Sequence, residues 1–359
     1  RSGTPMTDWL ASPGRPLRGC IEVPGDKSIS HRAIMLAALA EGITDIHGFL
    51  EGEDTRATAA IFTRLGVTIE APAPSVRIVH GVGLHGLCAS AGDLDCGNAG
   101  TAMRLLAGLL AGQRFDSVLI GDMSLSCRPM RRVVEPLQRM GADIETAPSG
   151  TAPLRIRGGQ GLRGATHDLA IASAQVKSAL LLAGLYADGV TCVREPHATR
   201  DYTERMLAAF GADLRSGSDG WVELHPGRSL RTPGRIDVPG GFSSAAFFLV
   251  AASVVPGSDL TIANVGINPR RTGLLDTLRE MGALIDVIDQ RIAGGEPVAD
   301  LRVRYASLHG VNIPPQRVPD MIDEFPALFV AAALTEGGSL VTGAAELGVE
   351  ESDLIAVMA

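Results

Sequence analysis

Lys27, Ser28 and Arg32 stand in the stretch Pro24-Gly25-Asp26-Lys27-Ser28-Ile29-Ser30-His31-Arg32, directly before the apolar run Ala33 to Leu39. Cations and hydroxyls are thereby placed on a turn and a first helical turn, where unpaired backbone N–H groups already favour an anion. Lysine offers a compact charge suited to phosphate or carboxylate, and arginine a planar fork suited to carboxylate. The plainer reading is two surface charges solubilising a helix start.

Related layouts recur. Asp95 and Cys96-Gly97-Asn98-Ala99-Gly100-Thr101 precede Arg104 and an apolar run. Gly97 and Gly100 permit close backbone approach to a ligand, while Asn98 and Thr101 could equally cap the helix. The spacing is not that of a Walker-type loop. Arg128-Pro129-Met130-Arg131-Arg132 puts three arginines at a helix start, against the usual preference for acids there. Arg128 lies just outside the helix, so the pairing open to Arg131 or Arg132 with Glu135 does not occupy it, and it is the expected ligand residue. Ser173-Ala174-Gln175-Val176-Lys177 offers hydroxyl and amide groups suited to a polyhydroxylated or phosphorylated ring, with Lys177 as a possible solvated stem. Arg200 and Asp201 open a further helix, where Asp201 can serve as a cap. Asp320, Asp323 and Glu324, and later Glu350 and Glu351, either cap helices or act as proton donor and acceptor. His31, His167, His197 and His309 are scattered and supply no metal site.

These groups are carried by a repeat. Leu65-Gly66-Val67, Met140-Gly141-Ala142, Phe210-Gly211-Ala212 and Met281-Gly282-Ala283 each close an amphipathic helix ahead of a strand, with glycines 75, 70 and 71 residues apart. Apolar helices are predicted at 28–40, 101–111, 176–186, 243–254 and 325–335, and amphipathic ones at 54–65, 129–140, 201–210, 271–281 and from 351. Each unit reads strand, helix, strand, helix, strand, strand. The nearly uncharged helices are expected inside, with sheet and amphipathic helices around them.

A chain of 359 residues, 45% hydrophobic, is long enough for two domains. A boundary fits Ser229 to Gly234, and Ile236-Asp237-Val238-Pro239-Gly240 restates Ile21-Glu22-Val23-Pro24-Gly25. The expected partition is residues 20–233 as a first domain of three units, and 1–19 with 234–359 as a second. The fifth unit stops at Ala359, before a closing glycine and strand, so the second domain is expected to lack its last part. The net charge of −8 argues against nucleic-acid or membrane surfaces as partners. Five cysteines without CxxC spacing disfavour a disulfide framework or structural zinc. No signal peptide or long apolar span is visible, which makes the cytoplasm the expected compartment.

Taken in order, Pro24 to Arg32, Gly97 to Thr101, Arg128 to Met130, Ala172 to Ser178, Arg200-Asp201 and Asp320 to Glu324 resemble the enolpyruvyl transferase family, and within it the branch acting on shikimate 3-phosphate. The resemblance covers essentially the whole chain. It implies an α/β fold of two domains built from βαβαββ units that close over substrate, in a chain acting as a monomer. It implies that Lys27, Gly100 and Arg128 serve phosphoenolpyruvate. Ser28, Arg32, Ser173, Ala174, Gln175 and Arg200 would hold shikimate 3-phosphate. Asp323 would be the base at the 5-hydroxyl, contacting the same substrate, and Glu351 the proton-transfer partner at the methylene, with Lys27 also counted as catalytic. Addition and elimination through a tetrahedral intermediate would proceed without metal or organic cofactor.

The chain departs from the family at Gly348, Glu350 and Leu354, where cations are expected. Two other readings therefore stand beside this one. They are a catalytically impaired module that still binds shikimate 3-phosphate, and the related transferase acting on UDP-N-acetylglucosamine. Asp26-Lys27-Ser28 and Arg128-Pro129-Met130 speak against the latter.

Overall fold

In the computed structural model, residues 12, 14–217 and 220–344 are described. Helices occupy Lys27–Leu39 (α1), Glu53–Arg64 (α2), Gly100–Ala111 (α3), Arg131–Arg139 (α4), Ala174–Gly184 (α5), Tyr202–Ala209 (α6), Phe242–Val254 (α7), Gly273–Glu280 (α8) and Phe325–Ala333 (α9). The odd-numbered helices are the apolar runs and the even-numbered ones the amphipathic runs, within a few residues of expectation. The tenth helix, expected from 351, lies outside the described residues.

The helix boundaries have local causes. Asp26 accepts the Ile29 N–H at 2.9 Å and caps α1, whose residues from Ile29 to Leu39 are all buried. Gly66, Gly141, Gly211 and Gly282 have φ of 93°, 100°, 85° and 98°, the left-handed conformation that ends a helix at no Cβ cost. One type of residue thus turns all four amphipathic helices back into sheet.

Four sheets share one strand pattern, a parallel pair followed by two antiparallel neighbours. In the second unit, Leu94–Asp95, Ser117–Ile120, Leu154–Arg157 and Asp143–Glu145 lie in that order, and in the third Thr166–Asp168, Thr191–Arg194, Trp221–His225 and Asp213–Ser216. The first and fourth sheets exchange their leading strands. Arg235–Asp237 pairs with Asp45 to His47 in the first, and Arg18–Glu22 pairs with Asp259 to Ala263 in the fourth. Both strands cross the domain limits expected at 20 and 233. The repeated phrases at 21–25 and 236–240 are the two crossings.

Where the crossings meet, the Asp26 N–H donates to the Pro239 carbonyl at 2.8 Å and the Gly241 N–H to the Pro24 carbonyl at 2.9 Å. A Cβ on Gly25 would lie 1.8 Å from the Gly48 carbonyl oxygen, so the contact is built around a bare backbone. Two separate apolar cores flank it. One gathers α1 to α6 and the first three sheets, and the other gathers α7 to α9 and the fourth sheet. We call these the first and second lobes. Among the described residues, no helix is long and apolar enough to cross a membrane.

Candidate active site

The starts of α1 and α7 meet at the crossing, and the starts of α3, α5 and α6 are joined to that of α1 through side chains. Arg32, one turn into α1, is buried at 5% exposure. Its Nε donates to Thr203 Oγ1 at 2.7 Å in α6, its Nη2 to Ser178 Oγ at 3.0 Å in α5, and its Nη1 to the Ser28 carbonyl at 3.0 Å. Gln175 ties α5 to α3 in the other direction. Its Nε2 donates to Thr101 Oγ1 at 3.0 Å, and its Oε1 accepts from Arg104. The first turn of α5 is therefore the point at which the three units of the first lobe are held together. Ala174 opens that turn, behind Ser173, whose Oγ accepts the Val176 N–H as a cap at 3.4 Å.

Gly100 and Arg128 also come together, since a Cβ at Gly100 would lie 3.0 Å from the Arg128 guanidinium. Arg128 donates to Asn98 Oδ1, while Asn98 Nδ2 donates to Asp122 Oδ2 at 2.7 Å. Neither Asn98 nor Thr101 caps α3, whose capping position is Ala99 with no side-chain bond. That removes the simpler explanation for both residues. Lys27 reaches Asp54 at the start of α2, at 3.2 Å, with its side chain 48% exposed.

Lys177 is not a solvated stem. Its ammonium lies 2.8 Å from both Glu195 and Glu204, and its side chain is 5% exposed. Burial would lower its pKa, but the two carboxylates outweigh that and raise it. Burial pushes the Glu204 carboxyl up, with Lys177 opposing. Glu195 also accepts the Ser173 N–H at 2.9 Å and the Thr199 hydroxyl at 2.8 Å, so this ion cluster sits behind the α5 start and braces it.

The second lobe contributes a carboxylate clamped by cations. Asp323 Oδ2 accepts from Arg200 Nη2 of the first lobe at 2.8 Å and from Arg271 Nη1 of its own lobe. Desolvation raises the Asp323 pKa, but the charges of Arg200 and Arg271 overcome it and hold the carboxyl well below its usual range. Arg271 is 6% exposed and uses its Nη2 on Ser243 Oγ in α7. Ser243 Oγ in turn donates to Glu324 Oε1 at 2.6 Å. Neither Asp323 nor Glu324 caps α9, and Asp201 bonds Arg205 and Asn268 instead of capping α6. Glu350 and Glu351, with Gly348 and Leu354, lie outside the described residues.

Arg271, Ser243 and Glu195 were not singled out from sequence. For Arg271 the signal was present, because Asn268-Pro269-Arg270-Arg271 precedes α8 much as Arg128-Pro129-Met130 precedes α4.

The sequence model of EPSP synthase (3-phosphoshikimate 1-carboxyvinyltransferase) matches residues 11–359. The chain belongs to the EPSP synthase family. A 3-phosphoshikimate 1-carboxyvinyltransferase of Xanthomonas campestris pv. campestris is 64% identical over 353 residues, 98% of this chain and 80% of that protein. One from Xylella fastidiosa is 64% identical over 350 residues, 98% of this chain and 77% of its own length. Among solved structures, EPSP synthase from Acinetobacter baumannii superposes with a TM-score of 0.88 at 53% identity, covering 96% of this chain and 78% of that one. The enolpyruvyl transferase NikO from Streptomyces tendae shares the fold at a TM-score of 0.74 and 18% identity, over 91% of this chain and 75% of its own. The expected α/β fold of βαβαββ units is thus that of the EPSP synthase family.

Proposed function

We propose that this chain transfers the enolpyruvyl group of phosphoenolpyruvate to the 5-hydroxyl of shikimate 3-phosphate and releases phosphate. Asp323, carried into the inter-lobe cleft beside Arg200, is the observation that best supports this reading, in a chain whose relatives bear that activity in their names. The hydroxyl oxygen adds to C2 of phosphoenolpyruvate while its proton passes to Asp323 and the methylene carbon gains one. The tetrahedral intermediate then loses a proton from the methyl group so formed and breaks the C2–O bond to phosphate, which restores the methylene. Lys27, Gly100 and Arg128 are assigned to phosphoenolpyruvate. Ser28, Arg32, Ser173, Ala174, Gln175 and Arg200 are assigned to shikimate 3-phosphate, and Glu351 to the methylene proton.

Arg32 enters this assignment with a difference. Its Nε, Nη1 and Nη2 all have protein partners, so it contributes field and scaffold as much as a direct contact. The two-domain division belongs to the same reading, with Asp323 of the second lobe lying against Arg200 of the first. So does residence in the cytoplasm, because phosphorylated anions do not cross apolar barriers and are consumed where they are made. Calorimetric titration with shikimate 3-phosphate and, separately, UDP-N-acetylglucosamine tests the assignment. Binding of the first and not the second is expected, and the reverse overturns it. Phosphate release in the presence of both substrates distinguishes an enzyme from an impaired binding module.

A further inference from the structure

Arg271 lies between two acids of its own lobe. Its Nη1 donates to Asp323 Oδ2, and its Nη2 lies 3.5 Å from Glu324 Oε1. Asp323 and Glu324 are adjacent residues directly before α9, and Glu324 is 1% exposed, so little water screens it from the guanidinium. A guanidinium is a rigid planar fork, and turning Nη2 towards one acid moves Nη1 off the other. Glu324, whose pKa burial raises, offers Oε1 as an acceptor in either protonation state.

Ser243, in the first turn of α7, stands between the rivals. Its Oγ accepts from Arg271 Nη2 at 2.5 Å and donates to Glu324 Oε1 at 2.6 Å. The direction of both bonds is fixed, because arginine only donates and the hydroxyl then has its one hydrogen for Glu324. The Arg271 N–H donates to the Asn268 carbonyl at 2.8 Å, which anchors the other end of the side chain. Ser243 follows Ile236 by seven positions, as Ser28 follows Ile21 in the matching phrase. Ser243, Arg271, Asp323 and Glu324 all belong to the second lobe, so their contacts do not depend on how the lobes are set against each other.

Resting on the proposed function, we infer that Ser243 is a positioning residue for the base: its hydroxyl holds the Arg271 fork on Asp323 and keeps Glu324 from capturing it. Among the described residues, both guanidinium contacts to Asp323 fall on Oδ2, which leaves Oδ1 to accept the proton of the 5-hydroxyl. Without the Ser243 hydroxyl, Nη2 closes on Glu324, Nη1 is drawn from Asp323, and the carboxylate turns. A base displaced by about 1 Å costs rate more than affinity.

The test is a double-mutant cycle on kcat for phosphate release with both substrates, in the wild type, Ser243→Ala, Glu324→Leu and the double variant. Ser243→Ala is expected to lower kcat by about ten- to a hundredfold, with KM for shikimate 3-phosphate changed by less than about threefold. Glu324→Leu removes the rival acceptor, so the loss caused by Ser243→Ala should be smaller in that background by about three- to tenfold. A serine that only packs or caps α7 would not be relieved by a change at Glu324. Unchanged kcat in Ser243→Ala, a loss confined to KM, or a loss equal or larger in the Glu324→Leu background overturns the inference. Ser243→Gly and Glu324→Ala repeat the cycle should either first choice fail to fold. Wild-type protein that releases no phosphate overturns the function reading and this inference with it, a result distinct from turnover with equal losses.

Discussion

In the first lobe α1 is buried from Ile29 to Leu39, and the groups near its start are held by hydroxyls, a carbonyl and a cap. In the second lobe the corresponding α7 leaves Phe247 61% and Phe248 39% exposed, and the groups beside its start form a cluster of charges. The same βαβαββ unit underlies both. The first lobe keeps an ion cluster, Lys177 with Glu195 and Glu204, behind the candidate site, while the second places Arg271, Asp323 and Glu324 at the candidate site. A buried cation held by hydroxyls and a carbonyl keeps its geometry, as Arg32 does, whereas a cluster of paired charges can be redistributed when a charged ligand arrives. On this reading the first lobe is the mould and the second the reactive part.

The comparison breaks most visibly at Asp323. Asp323→Asn keeps the shape and loses the proton acceptor, so kcat is expected to fall by about 10²–10⁴-fold while shikimate 3-phosphate still binds. Steady-state phosphate release decides this, and a loss confined to KM rejects Asp323 as the base. The hidden cluster should respond in stability instead. Lys177→Ala leaves two carboxylates facing one another inside the first lobe, at a cost of about 3–5 kcal/mol in urea unfolding. A cost below about 1 kcal/mol shows that the cluster braces nothing.

Arg32 sharpens the contrast from the other side, because it is proposed for the site and is bonded into the scaffold. Arg32→Ala should weaken shikimate 3-phosphate binding by about ten- to a hundredfold, from loss of charge-assisted bonds of about 1.5–3 kcal/mol. It should also lower the melting temperature, since α1, α5 and α6 lose a shared partner. Unchanged affinity with a lowered melting temperature assigns Arg32 to the scaffold alone.

The smallest effect concerns Glu296, a second-lobe carboxyl facing Arg205 of the first lobe at 3.8 Å and accepting from Asn268 Nδ2 at 2.9 Å. Burial pushes its pKa up to about 7, against 4.5 for a free glutamate. The folded state thus retains a proton that the unfolded chain releases. The contribution of Glu296 is complete below pH 4.5 and is lost as pH rises towards 7. Glu296→Gln should therefore raise the melting temperature relative to wild type by a few degrees more at pH 8 than at pH 5. A difference independent of pH contradicts a protonated Glu296.

Much of the fold was legible because its signals are local. An apolar run after Asp26 or Ser173, and a glycine after Leu65 or Met140, state where a helix begins and ends without reference to the rest of the chain. The strand exchange was not legible in that way. Ile21 and Ile236 sit in nearly identical phrases, and nothing in either says that its partner strand belongs to the opposite lobe. Among the candidate site residues, Gly100 with Arg128 and Arg200 with Asp323 do come together. Lys177 was open to misreading because its burial depends on Glu195 and Glu204 arriving from other elements. Arg271 follows a proline ahead of a helix, much as arginines flank Pro129, but nothing local says that its partners are Asp323 and Ser243 from other elements.

The crossing at Gly25 and Gly240 bears on the order of events during synthesis. Strand Arg18–Glu22 is made long before its partner, which begins at Asp259, and the neighbouring bond from the Leu17 N–H to Ser258 Oγ spans 241 positions. At about 5–20 residues per second the ribosome needs about 12–50 s to supply that partner. Through this interval the leading strand has an unpaired edge, and the first sheet likewise waits for Arg235–Asp237. Neither lobe can be finished and set aside before the other has begun, so early termination past residue 237 releases a chain whose first lobe is paired and whose opening strand is still a free adhesive edge.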